Sequence, residues 1–146
     1  MKIEIITDKT CGETRVVIYT GEVNDDVNDL VRRLSENSPK VLAGFREDTV
    51  ELLDPSSVIR IFANSGKVFA ATRDGEYTLR LRLYEIEERL GKSDFVRISN
   101  SEIINLRMVK SFDLNLAGTI CVKFIDSSAS YVSRRYVADI KKVLGI

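Results

Sequence analysis

The side chains that most often do chemistry in proteins are scarce in this chain of 146 residues. Histidine is absent, which excludes a Ser-His-Asp or Cys-His nucleophile and the commonest metal ligand. Cys11 and Cys121 are too far apart to form a paired metal motif, and we expect reduced thiols. The carboxylates of Glu85, Glu87 and Glu88 lack such partners and are interpreted as a solvated helix face. With no nucleotide-binding glycine motif present, the sequence predicts no enzyme, no metal site and no cofactor.

Charge is distributed unevenly along the chain, although the formal net charge is zero. Residues 1–55 contain 7 Lys or Arg and 12 Asp or Glu, whereas residues 56–146 contain 15 and 10. This asymmetry favours a polyanion-binding half beside an acidic half. The N-terminus lacks the apolar region of a signal peptide, and no apolar run approaches the roughly 20 residues of a membrane span. We therefore expect a cytoplasmic protein.

The first 55 residues predict a small strand–helix–strand segment. Alternating and β-branched residues predict strands at 2–7 and 14–20. Asn24 is a suitable N-cap for a helix that is expected to stop at Ser38-Pro39. The apolar face of this helix has three- and four-residue spacing and consists of Val27, Leu30, Val31 and Leu34. Short strands are expected at 40–45 and 49–53, and the linker-like residues 54–57 place a domain boundary after residue 55.

From residue 56 onward the pattern is almost wholly β, with turn signals at Ser65-Gly66 and Asp74-Gly75. The predicted strands are 58–63, 68–72, 77–81, 95–98, 103–106, 109–114, 120–125 and 131–133. Helices are predicted at 83–90, ending at Gly91, and at 135–144. The fold class is therefore mainly β, or α+β overall.

Three stretches of this half resemble the LytTR DNA-binding domain family. They are the hairpin and helix IFANSGKVFAATRDGEYTLRLRLYEIEERL, the segment FVRISNSEIINL, and the C-terminal VSRRYVADIKKVL. The resemblance spans residues 56–146 and implies a stack of small β-sheets with two short helices. Residues 1–55 are too few for a receiver domain. The whole chain resembles short stand-alone LytTR transcription regulators of bacteria, in which such a segment replaces the receiver. We expect the acidic segment of residues 1–55 to form dimer contacts or to bind a regulator.

The resemblance also implies that loop side chains, rather than a recognition helix, enter successive major grooves of duplex DNA. Arg135, Asn100 and Lys67 are expected to read bases, and a guanidinium such as that of Arg135 can donate two bonds to guanine. The remaining expected DNA contacts are mainly to phosphates and come from Arg97, Ser99, Ser101 and Arg134.

Each of these residues also has a purely structural interpretation. Arg135 could form an ion pair with Asp139, and Asn100 could be a turn residue held by its own backbone. Lys67 and Arg134 could be ordinary solvated side chains. We interpret Asn105 as structural, bonding to backbone at a strand end, and we expect the core to contain Phe62, Phe95, Phe112, Phe124 and Tyr77.

These observations predict a sequence-specific, double-stranded DNA-binding transcription regulator. A homodimer is expected at least on DNA, because one small domain makes few contacts and two copies multiply affinity. The resemblance to the stand-alone regulators also implies a further partner, a small membrane protein that restrains the regulator. The alternative is a protein-interaction module that binds a membrane or regulatory partner without DNA.

Overall fold

The computed structural model describes residues 1–35, 41–91, 94–114 and 118–146. The chain forms two compact units, Met1–Ser38 and Pro39–Ile146. Ten strands and three helices are assigned in the described residues, which confirms the prediction of a mainly β fold. Within the same residues, no helix has the length and apolar character needed to cross a membrane.

The N-terminal unit contains one helix in its described part, α1 (Asp25–Ser35). The helix begins as predicted, because the side-chain Oδ1 of Asn24 accepts a hydrogen bond of 3.0 Å from the backbone N–H of Val27. Two aspartates occupy its first turn and two arginines its last, which suits the helix dipole. The predicted stop at Ser38-Pro39 lies outside the described residues.

The strands predicted at 2–7 and 14–20 are wrong, since neither range contains a strand. Their apolar side chains, apart from the half-buried Ile18, are exposed to solvent, Ile5 by 85% and Tyr19 by 94%. β-Branched residues favour strands because they pack against a neighbouring strand, so their propensity acts only where a partner is present. No other strand is assigned in the described residues of this unit.

The larger unit is built on a seven-stranded antiparallel sheet with the order β2-β1-β5-β4-β3-β7-β6. Its strands are β1 (Leu42–Arg46), β2 (Thr49–Leu53), β3 (Val58–Asn64), β4 (Lys67–Thr72), β5 (Gly75–Leu79), β6 (Phe95–Ser99) and β7 (Glu102–Asn105). A second, three-stranded sheet has the order β10-β9-β8. It consists of β8 (Val109–Asp113), β9 (Ile120–Phe124) and β10 (Ala129–Val132).

Two helices complete this unit, α2 (Leu83–Leu90) and α3 (Arg134–Leu144). Every strand and helix predicted after residue 56 is present, with ends that differ by at most two residues. The agreement follows from the clear alternation of apolar residues and from the glycine-containing turns, which are local signals.

The two faces of the large sheet cover two different core clusters. Successive residues of a strand point to opposite faces, and accordingly Ile103 packs with Ile86 of α2 whereas Ile104 packs in the cluster of Phe124 and Ile140. The small sheet and α3 therefore contribute to one cluster and α2 to the other. All four residues of β7 are buried, because both of its faces are covered.

Strands β1 and β2 belong to the large sheet, although the sequence places them before the linker at 54–57. Phe45 of β1 pairs with Thr78 of β5, and Leu42 and Leu53 are buried in the core cluster of α2. A Cβ atom at Gly44 would lie 2.7 Å from Cδ1 of Leu53, so β1 fits closely against its neighbours. The compact unit thus begins near residue 39 rather than 56. A separate regulatory or dimerisation role for residues 1–55 stays a prediction.

Asn105 connects the end of β7 to the start of β3, and its structural role is confirmed. Its side chain is buried, with Nδ2 donating to the carbonyl oxygen of Val58 at 2.8 Å. Its Oδ1 accepts from the backbone N–H of Arg107 at 3.1 Å, which caps a short 3-10 turn. Both ends of the amide are therefore used inside the fold.

Replacing this amide should destabilise the fold. Asn105→Ala is expected to lower the free energy of unfolding by about 2 kcal/mol, because it leaves a buried carbonyl and a backbone N–H without partners. Urea denaturation followed by circular dichroism measures the difference. Asn28→Ala, on the exposed surface of α1, is the matched control and should change stability by less than about 0.5 kcal/mol. Equal effects of the two substitutions would contradict the role of Asn105.

Candidate nucleic-acid interface

The first part of the candidate interface is the turn between β3 and β4. Ser65 and Gly66 have φ values of 52° and 77°, so the two central residues are left-handed, as a type I′ hairpin turn requires. Lys67 is the first residue of β4, pairs with Asn64 and is exposed. The tight turn therefore holds the lysine at the end of the sheet.

The second part is the turn between β6 and β7, which contains Ser99, Asn100 and Ser101. Strand β7 begins beside the end of β3, since Glu102 pairs with Phe62. The backbone N–H of Ala63 donates to the carbonyl oxygen of Ser101 at 2.8 Å. The two turns consequently project from the same end of the large sheet.

The start of α3 is the third part, and two hydrogen bonds hold it beside the second turn. The backbone N–H of Ser133, the N-cap residue, donates to the carbonyl oxygen of Ile98 at 2.9 Å. The hydroxyl of Tyr136 donates to Oδ1 of Asn100 at 3.2 Å. The structure therefore brings Asn100 together with the segment that contains Arg134 and Arg135, more than thirty positions away in sequence.

Arg134 and Arg135 are exposed, and neither side chain forms a hydrogen bond or ion pair with another described residue. In particular, the ion pair between Arg135 and Asp139 that would have explained Arg135 structurally is not formed. The first turn of α3 contains no acidic residue. Cations at the positive end of a helix dipole are unfavourable, whereas anions are favourable there. This segment is consequently suited to a phosphate or another anion.

The serines of the second turn are bonded mainly to each other. Their hydroxyls lie 3.2 Å apart, and the backbone N–H of Ser101 donates to Oγ of Ser99 at 3.2 Å. Ser99 is half-buried, whereas Ser101 and Asn100 are exposed. Ser101 is thus the better placed of the two serines for a contact with a phosphate.

Arg97 is placed differently from the other predicted DNA contacts. Its Nε donates to the carbonyl oxygen of Ser99 at 2.7 Å and its Nη2 to that of Asn100 at 2.5 Å. Its Nη1 forms an ion pair with Glu87 of α2, and only 18% of its side chain is exposed. A contact with phosphate stays a prediction, and what the structure shows is a guanidinium that holds the second turn.

Glu102 is a structural residue of this region that sequence reasoning missed. It is buried, with 6% exposed, and its Oε1 accepts from Nη1 of Arg60 at 2.6 Å. Its Oε2 accepts from the hydroxyl of Ser130 on β10. The carboxylate therefore joins the two sheets directly behind the second turn. A glutamate immediately before the apolar pair Ile103-Ile104 is the only local signal for this burial.

The charge of Arg60 also affects a neighbouring turn. The pKa of Asp126 lies below its ordinary value, chiefly because the Ser128 hydroxyl donates to its carboxylate, and Arg60 adds a smaller electrostatic contribution. The Arg60 guanidinium thus makes only a minor contribution to the lowered pKa of Asp126.

A model of the LytTr DNA-binding domain matches residues 48–145 of this chain. The chain belongs to the LytTR DNA-binding domain family. The match includes all three parts of the candidate interface and every strand of both sheets except β1.

Relatives and a solved structure agree with this assignment. An uncharacterised HTH-type transcriptional regulator from Staphylococcus aureus (strain bovine RF122 / ET3-1) is 31% identical over 147 residues, covering 100% of this chain and 99% of the relative. A regulator of the same description from strain NCTC 8325 / PS 47 is 30% identical with the same coverage. The LytTr DNA-binding domain of a putative methyl-accepting/DNA response regulator from Bacillus cereus has the same fold, with a TM-score of 0.70 and 24% identity over 73% of this chain and 97% of that one.

The name of the relatives refers to a helix-turn-helix, but the described residues contain no two consecutive helices. Helix α1 is followed by β1 and β2, and α2 is separated from α3 by five strands. The surface assembled from two turns and one helix start is therefore the candidate interface in this fold.

Removal of the buried carboxylate should destabilise the protein strongly. Glu102→Ala is expected to lower the free energy of unfolding by about 3 kcal/mol, because it leaves the Arg60 guanidinium without its partner between the two sheets. Thermal and urea denaturation measure this loss. Glu76→Ala removes an exposed carboxylate of β5 and is the control, with little expected effect. A Glu102 variant as stable as the control would contradict the role of the carboxylate in joining the sheets.

Proposed function

We propose that this chain is a transcription regulator that binds double-stranded DNA in a sequence-specific manner and reads major-groove bases with side chains from turns. The observation that supports the proposal is the convergence of the β3–β4 turn, the β6–β7 turn and the start of α3 in a member of the LytTR family. No catalysis, metal or cofactor is part of the proposal.

Base reading is assigned to Lys67, Asn100 and Arg135. All three are exposed, and each comes from a different one of the three converging segments. Lysine and arginine can donate to guanine O6 and N7, and an asparagine amide can donate to or accept from base edges. Side chains held at separate positions along one end of the sheet can enter separate grooves of a duplex.

Phosphate contacts are assigned to Arg134, Ser101 and Ser99. Arg134 stands at the positive end of the α3 dipole, where a phosphate oxygen would be stabilised by both the guanidinium and the helix. Neutralisation of phosphates releases counterions, so affinity should fall with rising salt. Such contacts orient the domain on DNA without selecting a sequence.

A homodimer on repeated sites is the second element of the proposal, because few base contacts per copy give modest affinity. The N-terminal unit is proposed as the protein-contact segment. None of the side chains described in residues 1–34 is buried, and many of its apolar side chains are exposed. A small membrane protein that restrains the regulator is proposed as an alternative binding partner of the same segment. The proposal also entails the cytoplasmic location expected from the sequence, where bacterial duplex DNA lies.

Selection from a pool of random duplex DNA tests the central proposal. The full chain should enrich a short repeated sequence, and its affinity for that sequence should fall steeply as salt is raised. Failure of the folded chain to enrich any sequence would overturn the proposal and favour the protein-interaction module.

Arg135→Ala should weaken binding to the selected site by about 1–3 kcal/mol and relax the preference at one base position. Arg73→Ala is the matched control, because Arg73 is an exposed arginine in the β4–β5 turn at the opposite end of the sheet. Fluorescence anisotropy with labelled duplexes measures both variants. Normal binding by Arg135→Ala would show that the residue does not read a base.

A chain reduced to residues 39–146 should remain folded and bind DNA, but it should lose dimerisation in analytical ultracentrifugation. This boundary keeps Leu42 and Leu53 in the core, whereas removal of residues 1–55 would delete both and should destabilise the sheet. A dimer of undiminished strength in the 39–146 chain would contradict the role assigned to the N-terminal unit.

A further inference from the structure

An asparagine that reads a base can present either a donor or an acceptor, depending on the rotation of its amide. The amide of Asn100 is exposed, and its Oδ1 accepts from the hydroxyl of Tyr136 at 3.2 Å. With Oδ1 held by the protein, the Nδ2 group is directed away from Tyr136. An amide in this orientation presents N–H donors to a partner outside the protein.

The ring of Tyr136 is well suited to hold the amide. It is half-buried and packs against the core cluster of Phe124 and Ile140, so that the ring is anchored while the hydroxyl reaches Asn100. A tyrosine has few rotatable bonds, and packing of the ring removes most of the remaining freedom. The hydrogen bond to Asn100 therefore requires little additional ordering.

The backbone of the same turn is held by different bonds. Arg97 donates to the carbonyl oxygens of Ser99 and Asn100, and its ion pair with Glu87 fixes the guanidinium against α2. Arg97 thus determines where Asn100 stands, whereas Tyr136 determines which way its amide faces. The two contributions can be separated by substitution.

We propose that Tyr136 is a specificity-determining positioning residue, which orients the Asn100 amide so that the base it reads must present a hydrogen-bond acceptor. This inference rests on the proposed contact of Asn100 with a base. Guanine, adenine and thymine offer acceptors in the major groove, whereas cytosine offers only a donor. Cytosine is therefore the base that is rejected at this position.

The placement of Tyr136 also affects Arg135, the neighbouring residue that is proposed to read a base. Tyr136 follows Arg135 directly, and the Ser133 N–H bond to Ile98 fixes the start of α3 against β6. The position read by Asn100 and the position read by Arg135 therefore keep a constant separation within one half-site.

The test is random-duplex selection with the full-length chain and with Tyr136→Phe, which removes only the hydroxyl. The wild-type pool should contain one position where cytosine is excluded, and Asn100→Ala should abolish that exclusion. Tyr136→Phe should weaken it about threefold to tenfold, as expected for loss of one hydrogen bond, with other positions unchanged. Tyr84→Phe, an exposed tyrosine of α2, is the control and should select the wild-type pool.

Asn100→Asp gives a second measurement that leaves Tyr136 intact. In this variant an oxygen replaces Nδ2 of Asn100. The outward-facing atom then accepts a hydrogen bond instead of donating one, so cytosine should become tolerated at that position.

The outcomes separate this inference from the proposed function. If the wild-type chain selects no sequence, both are overturned. A selected site with the same base preferences for wild type and Tyr136→Phe overturns the role of Tyr136 alone. Enrichment of cytosine at the position governed by Asn100, or its continued exclusion by Asn100→Asp, overturns the proposed orientation of the amide.

Discussion

The arrangement of the candidate interface depends on one buried carboxylate. Glu102 stands at the first residue of β7, where it accepts hydrogen bonds from Arg60 on β3 and from Ser130 on β10. A buried charge without partners would be strongly unfavourable, so the three strands are held in one relative position. The residue immediately before Glu102 is Ser101, whose carbonyl oxygen is bonded to Ala63. The first two turns of the interface consequently cannot move apart without breaking a charge-assisted bond.

Strand β7 holds the turn at its end in a fixed position because both faces of the strand are buried. Ile103 and Ile104 pack into opposite core clusters, and the strand is only four residues long. A short strand covered on both sides is rigid, and the turn at its end is therefore presented from a rigid element. The candidate interface is thereby confined to turns and a helix start, while the sheets and α2 position them.

The sequence predicts the elements of the larger unit well but not the environment of individual side chains. Alternation and turn glycines are local, so the strands after residue 56 could be predicted within two residues. The strands at 2–7 and 14–20 could not, because a strand exists only with a partner. The link between Glu102 and Arg60 spans 42 positions, and that between Tyr136 and Asn100 spans 36. Such contacts leave no periodic signal in the sequence. Arg97 and Arg135 therefore look equivalent there, although of the two only the Arg97 side chain is bonded within the fold.

Helix α1 follows the electrostatic rule for helix ends, whereas helix α3 departs from it. Helix α1 has two aspartates in its first turn, which stabilise its positive end, whereas α3 has Arg134 and Arg135 at that end and no acidic residue there. Local rules are broken mainly where function requires it. Because neither arginine side chain is bonded to another described residue, the compensating negative charge is expected from outside the chain. A zero net charge is thus compatible with binding a polyanion, since binding depends on where the unpaired cations stand and not on their sum.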